Sequence, residues 1–184
     1  MTKCETPKLK YLRGSASPTI KNDEFLEAFS YVGIEGPLIK SFDKDVGKFT
    51  AQQHGIYTFV YYITFQNQED GDKRNDGERL CQLRRTFATP RIENSFIGQY
   101  HSVPSQKIGI TPFFTLMNIS ATLEMEKGDT VQLAVYQNNT DQEDIIAFIE
   151  FHFVFLSKLC PLLKTNNQIL AKSDPINYPH QNGT

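Results

Sequence analysis

The chain has 184 residues, a formal net charge of −2 and a pI near 6.1. That is enough for one domain with a real core, and it leaves no basic excess that would make nucleic acid a main partner. Fourteen Phe and eight Tyr with no Trp favour pleated, half-buried surfaces and so β structure.

Residues 1–23 are polar, carry Pro7, Gly14 and Pro18, and read as an N-terminal arm. Their start lacks the apolar core of a signal peptide. No run of about eighteen apolar residues predicts a membrane-spanning helix, so a soluble intracellular product without a membrane span is expected. Over 25–34, Phe29-Ser30-Tyr31-Val32 favours a strand. Gly47-Lys48-Phe49-Thr50 and Gly55-Ile56-Tyr57-Thr58-Phe59 read as two strands joined by a short turn. The strand over 56–65 is the clearest in the chain. Its two faces, Ile56, Thr58, Val60, Tyr62, Thr64 and Tyr57, Phe59, Tyr61, Ile63, Phe65, are both uncharged, so both should be covered.

A polar loop over 66–78 follows, with turn signals at Asp70-Gly71 and Asp76-Gly77. A strand over 79–87 precedes a long irregular link through Pro90, Gly98, Pro104 and Gly109. The last strands are expected over 114–125, 130–136 and 145–156, the first two joined as a hairpin at Gly128. Residues 158–184 read as a C-terminal tail, leaving 24–157 as the folded domain. There is no internal repeat or heptad array. Short strands with almost no helix mean an all-β sandwich or barrel.

The order and spacing of these motifs resemble the tumour necrosis factor and complement globular-head superfamily. There a Gly-x-Phe strand precedes a Gly-x-Tyr-x-Phe strand, matched here by Gly47-Lys48-Phe49 and by Gly55, Tyr57 and Phe59. Ala28-Phe29-Ser30 resembles the opening strand of complement-type heads. The family's Leu-x-x-Gly-Asp-x-Val-x-Leu appears with Met125 at its head, then Gly128-Asp129, Val131 and Leu133. Gly128 can take positive φ without steric cost, and Asp129 can accept hydrogen bonds from nearby amides. One departure is Phe148-Ile149-Glu150-Phe151, with Glu where the family often has Gly.

The resemblance implies a jelly-roll sandwich of two antiparallel sheets with about eight to ten strands. It implies a homotrimer, with the strands over 56–65 and 145–156 in a sheet that faces its neighbours. Tyr57, Phe59, Tyr61, Phe148, Glu150 and His152 are then the expected trimer contacts. Glu150 and His152, converging from several copies, suggest a pH-sensitive interface. A jelly roll also tends to bring its termini together, which makes Cys4 and Cys160 a conceivable pair, although three cysteines without metal spacing read first as free thiols.

No catalytic, cofactor or metal constellation stands out. His54, His101, His152 and His180 lie far apart, without His-x-x-x-His or Cys-x-x-Cys companions. A calcium loop begun at Asp72 would place Arg74 and Leu83 where oxygen ligands belong. Ser105, Ser120 and Ser157 lack a nucleophile-elbow context. The sequons at Asn118, Asn138 and Asn182 would matter only on a secretory route. Arg79, Arg84, Arg85 and Arg91 are basic, but Arg84 and Arg85 point to opposite strand faces and are expected to pair with the acidic loop.

The expected function is therefore a non-enzymatic binding or structural module with no cofactor. Its partners are itself and an unidentified protein or glycan met by loop residues Asp70, Asp72, Arg74, Asp76, Asn138, Asn139 and Asp141. Without leader, stalk or anchor in the chain, a virus- or microbe-encoded structural or surface-attachment component is the favoured setting. The alternative is a cytokine-like or complement-like ligand that binds a receptor between subunits, and a cupin-like enzyme ranks third.

Overall fold

The computed structural model describes residues 9–66, 78–89, 96–102, 114–138 and 144–157, with 96–102 and 114 as backbone only. The strands are β1 (Leu9–Ala16), β2 (Thr19–Ile20), β3 (Glu24–Leu26), β4 (Val32–Glu35), β5 (Phe42–Asp43), β6 (Lys48–Thr50), β7 (Gly55–Gln66), β8 (Arg79–Thr86), β9 (Phe96–Ser102), β10 (Phe114–Met125), β11 (Thr130–Gln137) and β12 (Ile145–Leu156). The helical element among the described residues is a 3-10 turn, Ile39–Ser41.

Two antiparallel sheets result. One runs β10-β7-β12-β1-β4, with β2 added to the start of β12, and the other runs β5-β6-β11-β8-β9. The expected all-β two-sheet sandwich is therefore present. Three expectations fail. Residues 9–16, read as part of an arm, form a strand paired with β12 along its whole length, from Leu9 opposite Leu156 to Ala16 opposite Ile149. The irregular link contains β9, which pairs with β8. The turn at Gly128 is not a hairpin. β6 lies in one sheet and β7 in the other, and the same holds for β11 and β10, so both turns are corners that carry the chain between sheets.

These corners bond to each other. The Gly128 amide donates to the Ala51 carbonyl at 2.8 Å, and the Ala51 amide donates to the Asp129 carbonyl at 2.9 Å. Gly128 has φ +91°, where a Cβ would be strained and would sit 3.0 Å from the Ala88 methyl. Asp129, only 1% exposed, binds the corner to the end of β8. Its carboxylate accepts from the Ala88 amide at 2.9 Å, the Glu126 amide at 3.1 Å and Arg85 Nη2 at 2.5 Å. Burial pushes this carboxyl up, but Arg85 and the two amides outweigh burial and hold it below its ordinary value.

The core lies between the sheets and is mostly aromatic. Alternate residues of β7 (Tyr57, Phe59, Tyr61, Ile63, Phe65) and β12 (Ala147, Ile149, Phe151, Phe153, Phe155) point inward and are buried. Register places Phe153 opposite Phe59 and Phe151 opposite Tyr61. From the other sheet Phe49 meets both Phe59 and Phe153 edge-on, at 5.3 and 5.6 Å between ring centres. Such contacts add about 0.5–1.5 kcal/mol each beyond the area they bury. Gly55 has a packing reason, since a Cβ there would run into the Phe155 ring. The hydroxyls of Tyr31 and Tyr61 are buried without a hydrogen-bond partner among the described residues.

Part of the outer face of the second sheet, around β11 and β8, is covered by residues 22–27. The Asp23 amide donates to the Gln137 carbonyl, and the Tyr136 hydroxyl donates to the Asp23 carboxylate at 2.6 Å. Phe25 stacks against Tyr136 and lies under the Arg84 guanidinium. Glu27 pairs with Arg84, and its carbonyl accepts from Gln132 Nε2 at 2.6 Å. Ala134, on the outward side of β11, is consequently buried. Arg84 and Arg85 do face opposite sides, and among the described residues they pair with Glu27 and Asp129; residues 67–77 of the acidic loop lie outside the described residues.

Two stability measurements check these assignments. Tyr61→Phe removes a desolvated hydroxyl and should leave urea stability unchanged or raise it by up to about 1 kcal/mol; a clear loss would reveal an essential partner. Asp129→Asn should cost about 2–4 kcal/mol near neutral pH. Because the folded carboxyl is held low, its contribution is complete above the unfolded value of about 3.9 and fades as pH falls through the lower folded value. The gap between wild type and variant should therefore narrow below about pH 4.

Candidate functional site: the open face of the first sheet

Strand alternation that sends aromatic rings inward leaves a second set of side chains pointing away from the sandwich. On β7 these are Ile56, Thr58, Val60, Tyr62 and Thr64, and on β12 they are Ile146, Phe148, Glu150, His152, Val154 and Leu156. β1 adds Leu9, Tyr11, Arg13 and Ser15, and β10 adds Leu116, Asn118, Ser120 and Thr122. Large apolar groups here are open to solvent: Leu116 is 74% exposed, Leu9 67%, Tyr11 51%, Tyr62 49% and Phe148 44%. Between them lie Thr and Ser hydroxyls, some already occupied, as in the 3.0 Å bond between the Thr58 and Thr122 hydroxyls across β7 and β10.

A small polar group sits amid this apolar surface. β1 and β12 place Arg13 opposite His152 and Ser15 opposite Glu150. Arg13 forms an ion pair with Glu35 on β4. The His152 ring stands edge-on to Tyr62 at 6.2 Å. Arg13, Gly14, Ser15, Gly33, Glu150 and His152 line a shallow, open hollow. Glu150 points off the sandwich and so does not disturb the core.

The expected contact residues divide by face. Phe148, Glu150 and His152 lie on the open face. Tyr57, Phe59 and Tyr61 do not: each is at most 2% exposed inside one chain, because the sandwich core takes the larger rings of β7. Sequence reasoning passed over Tyr62 and Leu116, and also Leu9, Tyr11 and Arg13, which it had placed in an arm. Their signal lay in the discarded half of each alternation.

Of the expected loop contacts, Asp70, Asp72, Arg74, Asp76, Asn139 and Asp141 lie outside the described residues, as does the tail over 158–184. Asn138 is described: its amide donates to the Glu78 carbonyl at 2.9 Å. Arg79, fully buried, donates from Nη1 to the carbonyls of Glu78 and Asn138 at 3.1 and 3.4 Å. Burial pulls its guanidinium down to about 10, still charged at neutral pH. The bases of the two loops are thus fastened side by side. Among the described residues no group of three or more His, Cys, Asp or Glu is arranged to hold a metal, and no helix is long and apolar enough to cross a membrane.

Neither protein-family models nor curated proteins match this sequence. Solved structures do. Eiger TNF from S. frugiperda is similar with TM-score 0.52 and 12% identity, over 95% of this chain and 100% of that one. The fold is a tumour necrosis factor-like jelly roll. The globular domain of zebrafish complement 1qA protein gives TM-score 0.47 at 14% identity, over 78% of this chain and 94% of its own. Murine APRIL gives 0.46 at 9%, over 77% and 98%. At such identities the likeness to this TNF-like jelly roll is one of fold.

The division of faces is open to a direct check. Phe148→Asp should preserve the circular dichroism of the folded chain, since it alters an open surface. Phe151→Ala should cost about 3–5 kcal/mol, as expected for emptying an aromatic core site.

Proposed function

We propose that this chain is a non-enzymatic binding module that assembles as a homotrimer through the open face of β10-β7-β12-β1-β4. The observation that carries the reading is the asymmetry of the two outer faces. The chain lays its own residues 22–27 across one sheet, yet leaves Leu9, Tyr11, Tyr62, Leu116 and Phe148 of the other in solvent. An outer face that exposes so many large apolar side chains is unusual on a protein that works alone.

A second copy fits that face better than a charged partner. Arg13 and Glu35 are already paired with each other, and much of the remainder is aliphatic, aromatic or hydroxyl. Such a surface can meet another of its own kind without stranding many charges. Threefold closure is favoured by the resemblance, in which the corresponding sheet lines the threefold axis. The core-facing Tyr57, Phe59 and Tyr61 then support the contact from behind, while Tyr62, Phe148 and Leu116 make it.

Trimerisation would leave the loops over 66–78 and 138–144 to meet a protein or glycan. Arg79 ties Glu78 to Asn138, where the two loops begin and end. A particle component of viral or microbial origin and a receptor ligand both use such a platform. Detection in purified particles supports the first, and cell binding lost on loop exchange supports the second.

Sedimentation velocity of the purified chain should give a mass near three times 21.0 kDa. Leu116→Asp with Phe148→Asp should yield a folded monomer. A wild-type monomer at micromolar concentration overturns the reading.

A further inference from the structure

We infer that Glu150 and His152 make association through the open face proton-linked, so that the assembly tightens as pH falls through the histidine range. This rests on the homotrimer reading and adds a regulatory property to the same surface.

Arg13 and Glu35 form a closed pair on β1 and β4. Glu150 has no ion-pair partner among the described residues and lies two residues from His152 on the same side of β12. The groups that face His152 can be enumerated from the register. Arg13 stands opposite on β1, with Glu35 behind it on β4, and Ser15 stands opposite Glu150. On β7 the neighbours are Val60 and Tyr62, and beyond them on β10 are Ser120 and Asn118. Counting Arg13 and Glu35 as mutually neutralised, the site is one negative charge out of balance with neutral His152 and balanced with protonated His152.

In a separate chain this imbalance costs little, because water screens both exposed groups. When copies meet, the same groups lose water among Phe148, Tyr62 and Val154, and an unbalanced carboxylate becomes expensive. Protonation of His152 cancels it. Association therefore takes up protons, and by linkage acid favours association. The hollow lined by Gly14 and Gly33 gives the neutralised group room between packed strands.

Sedimentation equilibrium between pH 8 and pH 5.5 tests this, with near-UV circular dichroism showing that the fold persists. The wild-type association should tighten by about tenfold per subunit towards pH 5.5. His152→Gln should remove most of that change. Glu150→Gln should associate more tightly than wild type at pH 8 and lose the acid enhancement, since protonated His152 would then face Arg13 without a balancing acid. A trimer whose association does not vary with pH overturns this inference and leaves the homotrimer reading intact. So does a pH dependence that His152→Gln retains in full. A wild-type monomer throughout overturns both readings.

Discussion

Everything in this molecule follows from how β7 and β12 lie side by side. Both strands alternate, and their register brings Tyr57 with Phe155, Phe59 with Phe153 and Tyr61 with Phe151 onto one side of the sheet. Rings of that size fill the space between the sheets and interlock with Phe49 and Phe42 from the opposite one. Slippage by a single residue would send Phe148, Glu150 and His152 into the core and push the rings into water. The register therefore settles the interior and, by the same alternation, the composition of the exterior.

The corners are the second organising element. Each crossing between sheets leaves backbone groups that neither sheet can satisfy. The chain meets this need by placing the two crossings together, so that Ala51 and Gly128–Asp129 bond to each other. Asp129 then draws in the end of β8 through Ala88 and Arg85, with Arg85 lying over Phe87. This buried carboxylate is well supplied with donors, the condition under which a buried charge can be tolerated. Nearby, His54 lies between Glu124 and Glu126 at 3.1 and 3.4 Å and joins the first crossing to the second at the surface.

Much of the architecture was legible in the residues, for identifiable reasons. The strand over 56–65 declared itself because ten uncharged, β-favouring residues stand in succession. Gly128-Asp129 correctly marked a turn, but local spacing cannot distinguish a hairpin from a passage between sheets, since both need the same glycine and carboxylate. β1 escaped notice because Leu9–Ala16 has no clean alternation and contains Gly14; it is a strand chiefly because β12 offers it a partner. On β12 the alternation was legible, with Phe148, Glu150 and His152 on the outward side. On β7 two uncharged faces competed, and the outcome depended on ring size: four of the five core-facing residues from Tyr57 to Phe65 are aromatic, against Tyr62 alone on the other side.

The position of β12 carries a consequence for the history of each molecule. This strand, late in the chain, lies between β7 and β1, so the earlier strands have no common neighbour until it arrives. Pairing Leu9 with Leu156 joins residues almost the full described length apart. Contacts so distant in sequence form slowly, because chain entropy must be lost before they contribute. On a ribosome, β1 and β7 would emerge with open edges and exposed rings and wait for the segment that unites them. Protection of those edges during synthesis is thus a requirement written into the strand order itself.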